Sequence, residues 1–303
     1  MIEAGLILAR FLHYAAAMAL FGVSLFPLYA YTSGADPQPA RISQWYAKFL
    51  FAAALATFLS ALLWLAFVTA NMAGTLNAAI DGEALRSVLI DTAFGKVWTA
   101  RLGLSGVLVV LTLLAAARAK GYQAKWLNTF MSAIALALLA GTGHTMNSQG
   151  MASVVHIASD GAHLLAAGAW LGGLLSLGYV LINTKVAEAD PVLKRFSGMG
   201  YVAVAVLVGS GLLNSWFLVG SVSNLLATPY GQLLMLKLCL FAGMLLLAAL
   251  NRFWLVPALA TSPSGAEVAM ARLGRHVLGE QTLGMLVILA VSVLGTIEPA
   301  IGH

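Results

Sequence analysis

Charge is scarce in this sequence. Only 9% of its 303 residues are Asp, Glu, Lys or Arg, against about 25% in a soluble globular domain. So little polar surface cannot wet the outside of a chain that is 61% hydrophobic. This excludes a freely soluble globule and makes the bilayer the fitting solvent. Cysteine is nearly missing as well. Cys239 stands alone, which rules out an internal disulfide framework and a Cys-x-x-Cys metal site. The formal charge of +5 comes from few residues and reads as topology-setting loops rather than a nucleic-acid surface. There is no convincing internal repeat and no low-complexity tract. No large soluble appendage is expected. Nor is a separate signal peptide, because the first apolar stretch is long enough to span and no cleavage site follows it.

What is present is a succession of apolar stretches near the ~20 residues that a span requires. They cover 4–31, 46–72, 95–118, 125–144, 154–183, 197–220, 231–256 and 278–297. The expectation is an all-α transmembrane bundle, one integral domain over 1–303 with eight spans. The connections carry Gly, Pro, Asn and Asp, as loops do. The longest polar break, 73–94, holds Asp81, Glu83, Arg86 and Asp91 and is expected to include a short surface helix. Basic residues gather in three loops: Arg118, Lys120 and Lys125; Lys185, Lys194 and Arg195; Arg252, Arg272 and Arg275. The loops at 145–153 and 221–230 have no Lys or Arg. The positive-inside rule assigns the basic loops to the cytoplasm and both termini to the periplasm.

Ionisable groups inside spans are costly and mark function by default. His13, Arg101, Asp160, His163 and Lys237 all fall inside predicted spans. At 1.5 Å per residue they lie ~10–14 Å below the outer boundary, which suggests one shared site. His156, Asp160 and His163 are spaced i, i+4, i+7 and share a helix face. A carboxylate between two imidazoles can accept a ring N–H and fix a ligand's tautomer. The plainer alternative is that Asp160 pairs with Lys237 or Arg101 to hold helices together. His144, Met146 and Met151 sit in an uncharged outward loop, where imidazole and thioether suit copper; as plain packing, the methionines would touch lipid or neighbouring helices. His276 reads as a solvated member of a basic loop, His303 as a tail or an extra ligand, and Glu280 as half of a structural ion pair. Trp45, Trp98, Trp126, Trp216 and Trp254 read as interfacial anchors. Trp64 and Trp170 lie deeper; Trp170, on the His163 face, reads first as packing, with walling the buried site as the alternative. The small residues from Ala166 to Gly173 admit close approach by another helix or a flat cofactor.

Several stretches resemble the CopD/PcoD copper-resistance membrane proteins. The run Asp160-Gly-Ala-His163-Leu-Leu-Ala-Ala-Gly-Ala-Trp170-Leu-Gly172-Gly173-Leu looks like that family's signature helix. Phe94-Gly95-Lys-Val-Trp98-Thr-Ala-Arg101, Gly143-His144, Arg195-Phe196-Ser197 and Tyr230-Gly231-Gln-Leu-Leu-Met-Leu-Lys237 agree in order. So do Asn251-Arg252-Phe253 with Pro257, Glu280, and Leu294-Gly295-Thr296 with Pro299. The resemblance implies copper handling at the bacterial inner membrane. It also implies a separate periplasmic CopC-like copper carrier, since the chain has no such β domain of its own.

Three functions follow as alternatives. In a copper permease, His13, His144, His156, His163 and Met146 would bind the ion, with Asp160 orienting an imidazole and Arg101 and Lys237 pairing charge. In a redox protein, two of His13, His144, His156 and His163 would hold a b-type haem axially, and Arg101 and Lys237 would meet its propionates or a quinone headgroup. In a scaffold for the carrier, the polar cluster would be structural.

Overall fold

A computed structural model describes residues 1–31, 38–117, 125–142, 151–259 and 263–300. The described residues form helices and turns with no strand. In order these are α1 (Ile2–Ala30), α2 (Ala40–Ala73), a 3-10 turn (Leu76–Ala79), α3 (Gly82–Asp91), α4 (Ala93–Ala117), α5 (Lys125–Ala137) and a 3-10 turn (Leu138–Thr142). There follow α6 (Met151–Asn183), α7 (Val186–Leu218), α8 (Val222–Ala227), α9 (Pro229–Leu250), a π-helical segment (Asn251–Leu255), α10 (Val256–Ala258) and α11 (Pro263–Leu294).

Seven helices are long and apolar enough to cross a membrane: α1, α2, α4, α6, α7, the continuous Pro229–Ala258 segment and α11. The eighth expected span, 125–144, contains a shorter apolar helix, Lys125–Ala140. At 1.5 Å per residue it is ~24 Å long, below the ~30 Å of the hydrocarbon core. Helices also outrun the apolar stretches at two places. α7 begins at Val186 and α11 at Pro263, well before the predicted spans. Backbone hydrogen bonding continues there through polar residues, with Lys194 and Asp190 paired at 2.6 Å on consecutive turns.

Local chemistry sets the boundaries. α2 closes on Gly74, whose φ of 71° is a left-handed conformation that glycine adopts without strain. Asp81 caps α3 by accepting from the Glu83 amide at 2.9 Å, so the polar break contains the short helix expected. Thr228 caps α9 by accepting from the Gly231 amide at 3.1 Å, and Pro229 takes the first turn.

α1 is the hub and packs against α2, α5, α6, α7 and α11. With α6 the approach is close enough for backbones to touch. A Cβ on Gly22 would stand 2.1 Å from the Gly168 carbonyl oxygen and 2.7 Å from the Gly172 Cα. The small-residue stretch is therefore a helix crossing, and α1 is what crosses it. Leu59, Val110, Leu212 and Leu246 are exposed, an apolar exterior suited to lipid. Trp126, Trp216 and Trp254 are exposed as anchors would be, whereas Trp98 is fully buried.

Candidate functional site

α1 divides two polar compartments near the bundle end that carries the N-terminus. The first is closed. His13 is completely buried and flanked by Trp64 and Trp98, each with ring centroid 5.5 Å away. Its Nδ1 meets the Ser60 Oγ at 3.0 Å. Ser60 donates its own proton to the Thr57 carbonyl at 3.1 Å, so it accepts from His13. The remaining nitrogen, Nε2, then accepts from the Arg101 guanidinium. Arg101 also donates to the Ala135 carbonyl and lies 5.1 Å over the Trp98 ring. The Trp98 indole donates to the Ala61 carbonyl at 3.1 Å. Both His13 nitrogens are thus engaged, and the lone pair that a metal would need is held by a cation.

The second compartment is a cavity of about 360 Å³ between α1, α6, α7, α9 and α11. His156, Asp160 and His163 line it from α6, and Lys237 lines it from α9. The i, i+4, i+7 face of α6 is therefore one wall. Trp170 and Phe241, 6.0 Å apart, lie deeper on the same lining. His163 repeats the first compartment's serine device with a different result. Its Nδ1 meets the Ser210 Oγ at 2.9 Å, and Ser210 donates to the Val206 carbonyl. His163 therefore donates through Nδ1, which leaves the Nε2 lone pair without a hydrogen-bond partner among the described residues. This is the tautomer a metal ligand requires. His156 stacks on Phe217 at 4.6 Å. Asp160 accepts from the Asn214 amide at 3.2 Å.

The expected single site is thus two. Arg101 and His13 belong to the closed cluster, and Asp160, His163, Lys237 and His156 belong to the cavity. Asp160 interacts electrostatically with Lys237, without a direct contact between them among the described residues. Among the described residues neither Lys237 nor Arg101 has a carboxylate within 4.0 Å. The similar depth expected from the spans does not bring groups together when they face opposite sides of α1. His144, Met146 and His303 lie outside the described residues.

The cavity also contains groups that the sequence reading passed over: Arg10, Tyr14, Met18, Asn214 and Tyr230. Arg10 carried a usable signal, being a charge inside the first span three residues before His13. Met18 and Met244 add thioethers to the lining. Glu280 and His276 depart from expectation too. Asn251 bridges them, donating to Glu280 at 2.7 Å and meeting the His276 Nδ1 at 2.8 Å. Among the described residues neither the ion pair nor a fully solvated histidine forms. The π-helical turn begins at Asn251, as such turns often do beside polar networks.

Among the described residues no cluster of three His, Cys, Asp or Glu side chains forms a ready metal site. A metal held in the cavity would draw on His163 Nε2, with His156, Met18, Met244 and Asp160 as further lining donors. A b-type haem between His13 and His163 does not fit. His13 is outside the cavity lining, and its Nε2 is bonded to Arg101.

Two family models match the chain. Residues 1–154 match the copper resistance protein D-like N-terminal domain, and residues 190–294 match copper resistance protein D. The inner membrane protein YebZ of Escherichia coli is 31% identical over 300 residues, covering 96% of this chain and 97% of that protein. Copper resistance protein D of Pseudomonas syringae pv. tomato is 32% identical over 306 residues, covering 97% and 96%. The copper transport protein CutJ of Bacillus subtilis is 31% identical over 251 residues, covering 80% of this chain and 45% of its own length. No solved structure matches. The two family matches, the full-length relatives and the apolar helices together show that the chain belongs to the copper resistance protein D family of multi-pass inner-membrane proteins.

Proposed function

We propose that the chain takes copper from the periplasmic face into the α6-lined cavity and passes it inward. The observation that supports this reading is the state of His163. Ser210 occupies its Nδ1 and leaves the Nε2 lone pair for the cavity. Imidazole with thioether neighbours is a donor set that suits copper, and Asp160 offers charge to a bound cation. In this reading the basic loops are cytoplasmic, α5 with the turn to Thr142 makes the eighth crossing, and both termini are periplasmic. His144, Met146 and Met151 then receive copper at the cavity mouth, delivered by a separate CopC-like carrier. His13 and Arg101 hold α1, α2, α4 and α5 in register rather than bind the ion.

The test is copper uptake into proteoliposomes of the purified chain. Uptake above that of empty liposomes is expected. His163→Ala is expected to reduce it about tenfold, the scale of losing a ligand or its support. Equal uptake by the wild type and empty liposomes rejects transport.

A further inference from the structure

The charge lining the cavity does not suit a bare cation. Among the described residues Arg10 and Lys237 contribute two positive groups to the lining and Asp160 its one carboxylate. Lys237 lies eight residues into α9, ~12 Å along the helix. Among the described residues it has neither a hydrogen bond nor a carboxylate within 4.0 Å. Arg10 donates to the Gly295 carbonyl at 2.6 Å and lies 5.1 Å over the Trp64 ring, so its known partners are neutral. Its Nε is buried with no hydrogen-bond partner among the described residues. A net positive charge beneath a bilayer surface is costly, and it repels a metal ion brought beside it. Asp160 is itself bonded to Asn214 and leaves one cation uncompensated.

Size points the same way. About 360 Å³ exceeds what one ion needs and falls within the ~300–1,000 Å³ of small-molecule sites. Tyr14, Tyr230, Asn214 and Ser215 add neutral hydrogen-bonding groups to the lining.

The geometry points to a substrate that is copper carrying a small anionic carboxylate co-ligand, with His163 on the metal and Lys237 and Arg10 on the anion. This rests on the proposed copper site and names its substrate class. Lys237 becomes the residue that distinguishes a negatively charged copper complex from the free ion.

The test uses the full-length purified protein and copper(II), supplied either in a non-coordinating buffer or as its citrate complex. Retained copper is measured by equilibrium dialysis. Citrate is expected to raise copper retention by the wild type. Lys237→Met is expected to abolish that gain, about tenfold in apparent affinity, while binding from citrate-free buffer persists. Lys237→Arg keeps the charge and is expected to restore the gain, which excludes misfolding as the cause. The inference is overturned if citrate only competes copper away and Lys237→Met binds the free ion more tightly. In that outcome His163-dependent binding still stands, so the copper site survives without the anion. If the wild type retains copper in neither form, the site and the inference fall together.

Discussion

A serine hydroxyl that already donates to its own helix can only accept from a neighbouring imidazole, and this determines what each buried histidine can do. Ser60 and Ser210 both do so. For His13 the freed nitrogen meets Arg101; for His163 it meets the cavity. Ser210→Ala should leave the His163 Nδ1–H without its partner and lower copper affinity about tenfold, with folding retained. A copper titration of the purified variant checks this, and unchanged affinity contradicts the tautomer argument. Arg101→Met should act on stability instead. It strands the Ala135 carbonyl and the His13 Nε2, at a cost of about 2 kcal/mol. A lower thermal midpoint with unchanged copper affinity is expected; lost affinity at an unchanged midpoint would return the His13 cluster to the copper path.

Helices meet here through what their side chains lack. α1 and α6 touch at Gly22 and Gly172, where a Cβ on either would run into the other helix's backbone. Gly22→Val should separate the helices that carry His13 and His163, costing about 3 kcal/mol by overpacking, with loss of a monodisperse species on size exclusion. Gly103→Ala on α4 is the matched control. A Cβ there meets nothing within 4 Å, and removing a helix glycine gains about 1 kcal/mol. The α6 motif therefore does two jobs on one helix: His156, Asp160 and His163 line the cavity, and the glycines after them admit α1. The periodicity of α6 was legible in the sequence because i, i+4, i+7 is a property of one helix. Which helices oppose it was not, because nothing local encodes a neighbour.

At the scale of the molecule, the placement of the basic loops predicts the orientation of the bundle in the membrane. In a Cys239→Ser background, Glu83→Cys and Lys194→Cys place single thiols at exposed positions at the two ends of the bundle. If the basic loops are cytoplasmic, a membrane-impermeant maleimide added to intact spheroplasts labels position 83 and spares 194. The reverse pattern inverts the topology and moves the cavity mouth to the cytoplasm.

Composition and hydropathy by themselves determined that this is a helical membrane protein, and the order of its motifs determined its family, because the cost of polar groups in hydrocarbon is written residue by residue. Depth along a helix was readable in the same way. Azimuth across the bundle was not. The predicted spans put His13, Arg101, Asp160, His163 and Lys237 at a similar depth, yet helix packing sends the first two behind α1 and the others into a cavity with Arg10. Only the tertiary structure made that division, since it depends on which face of each helix its neighbours cover.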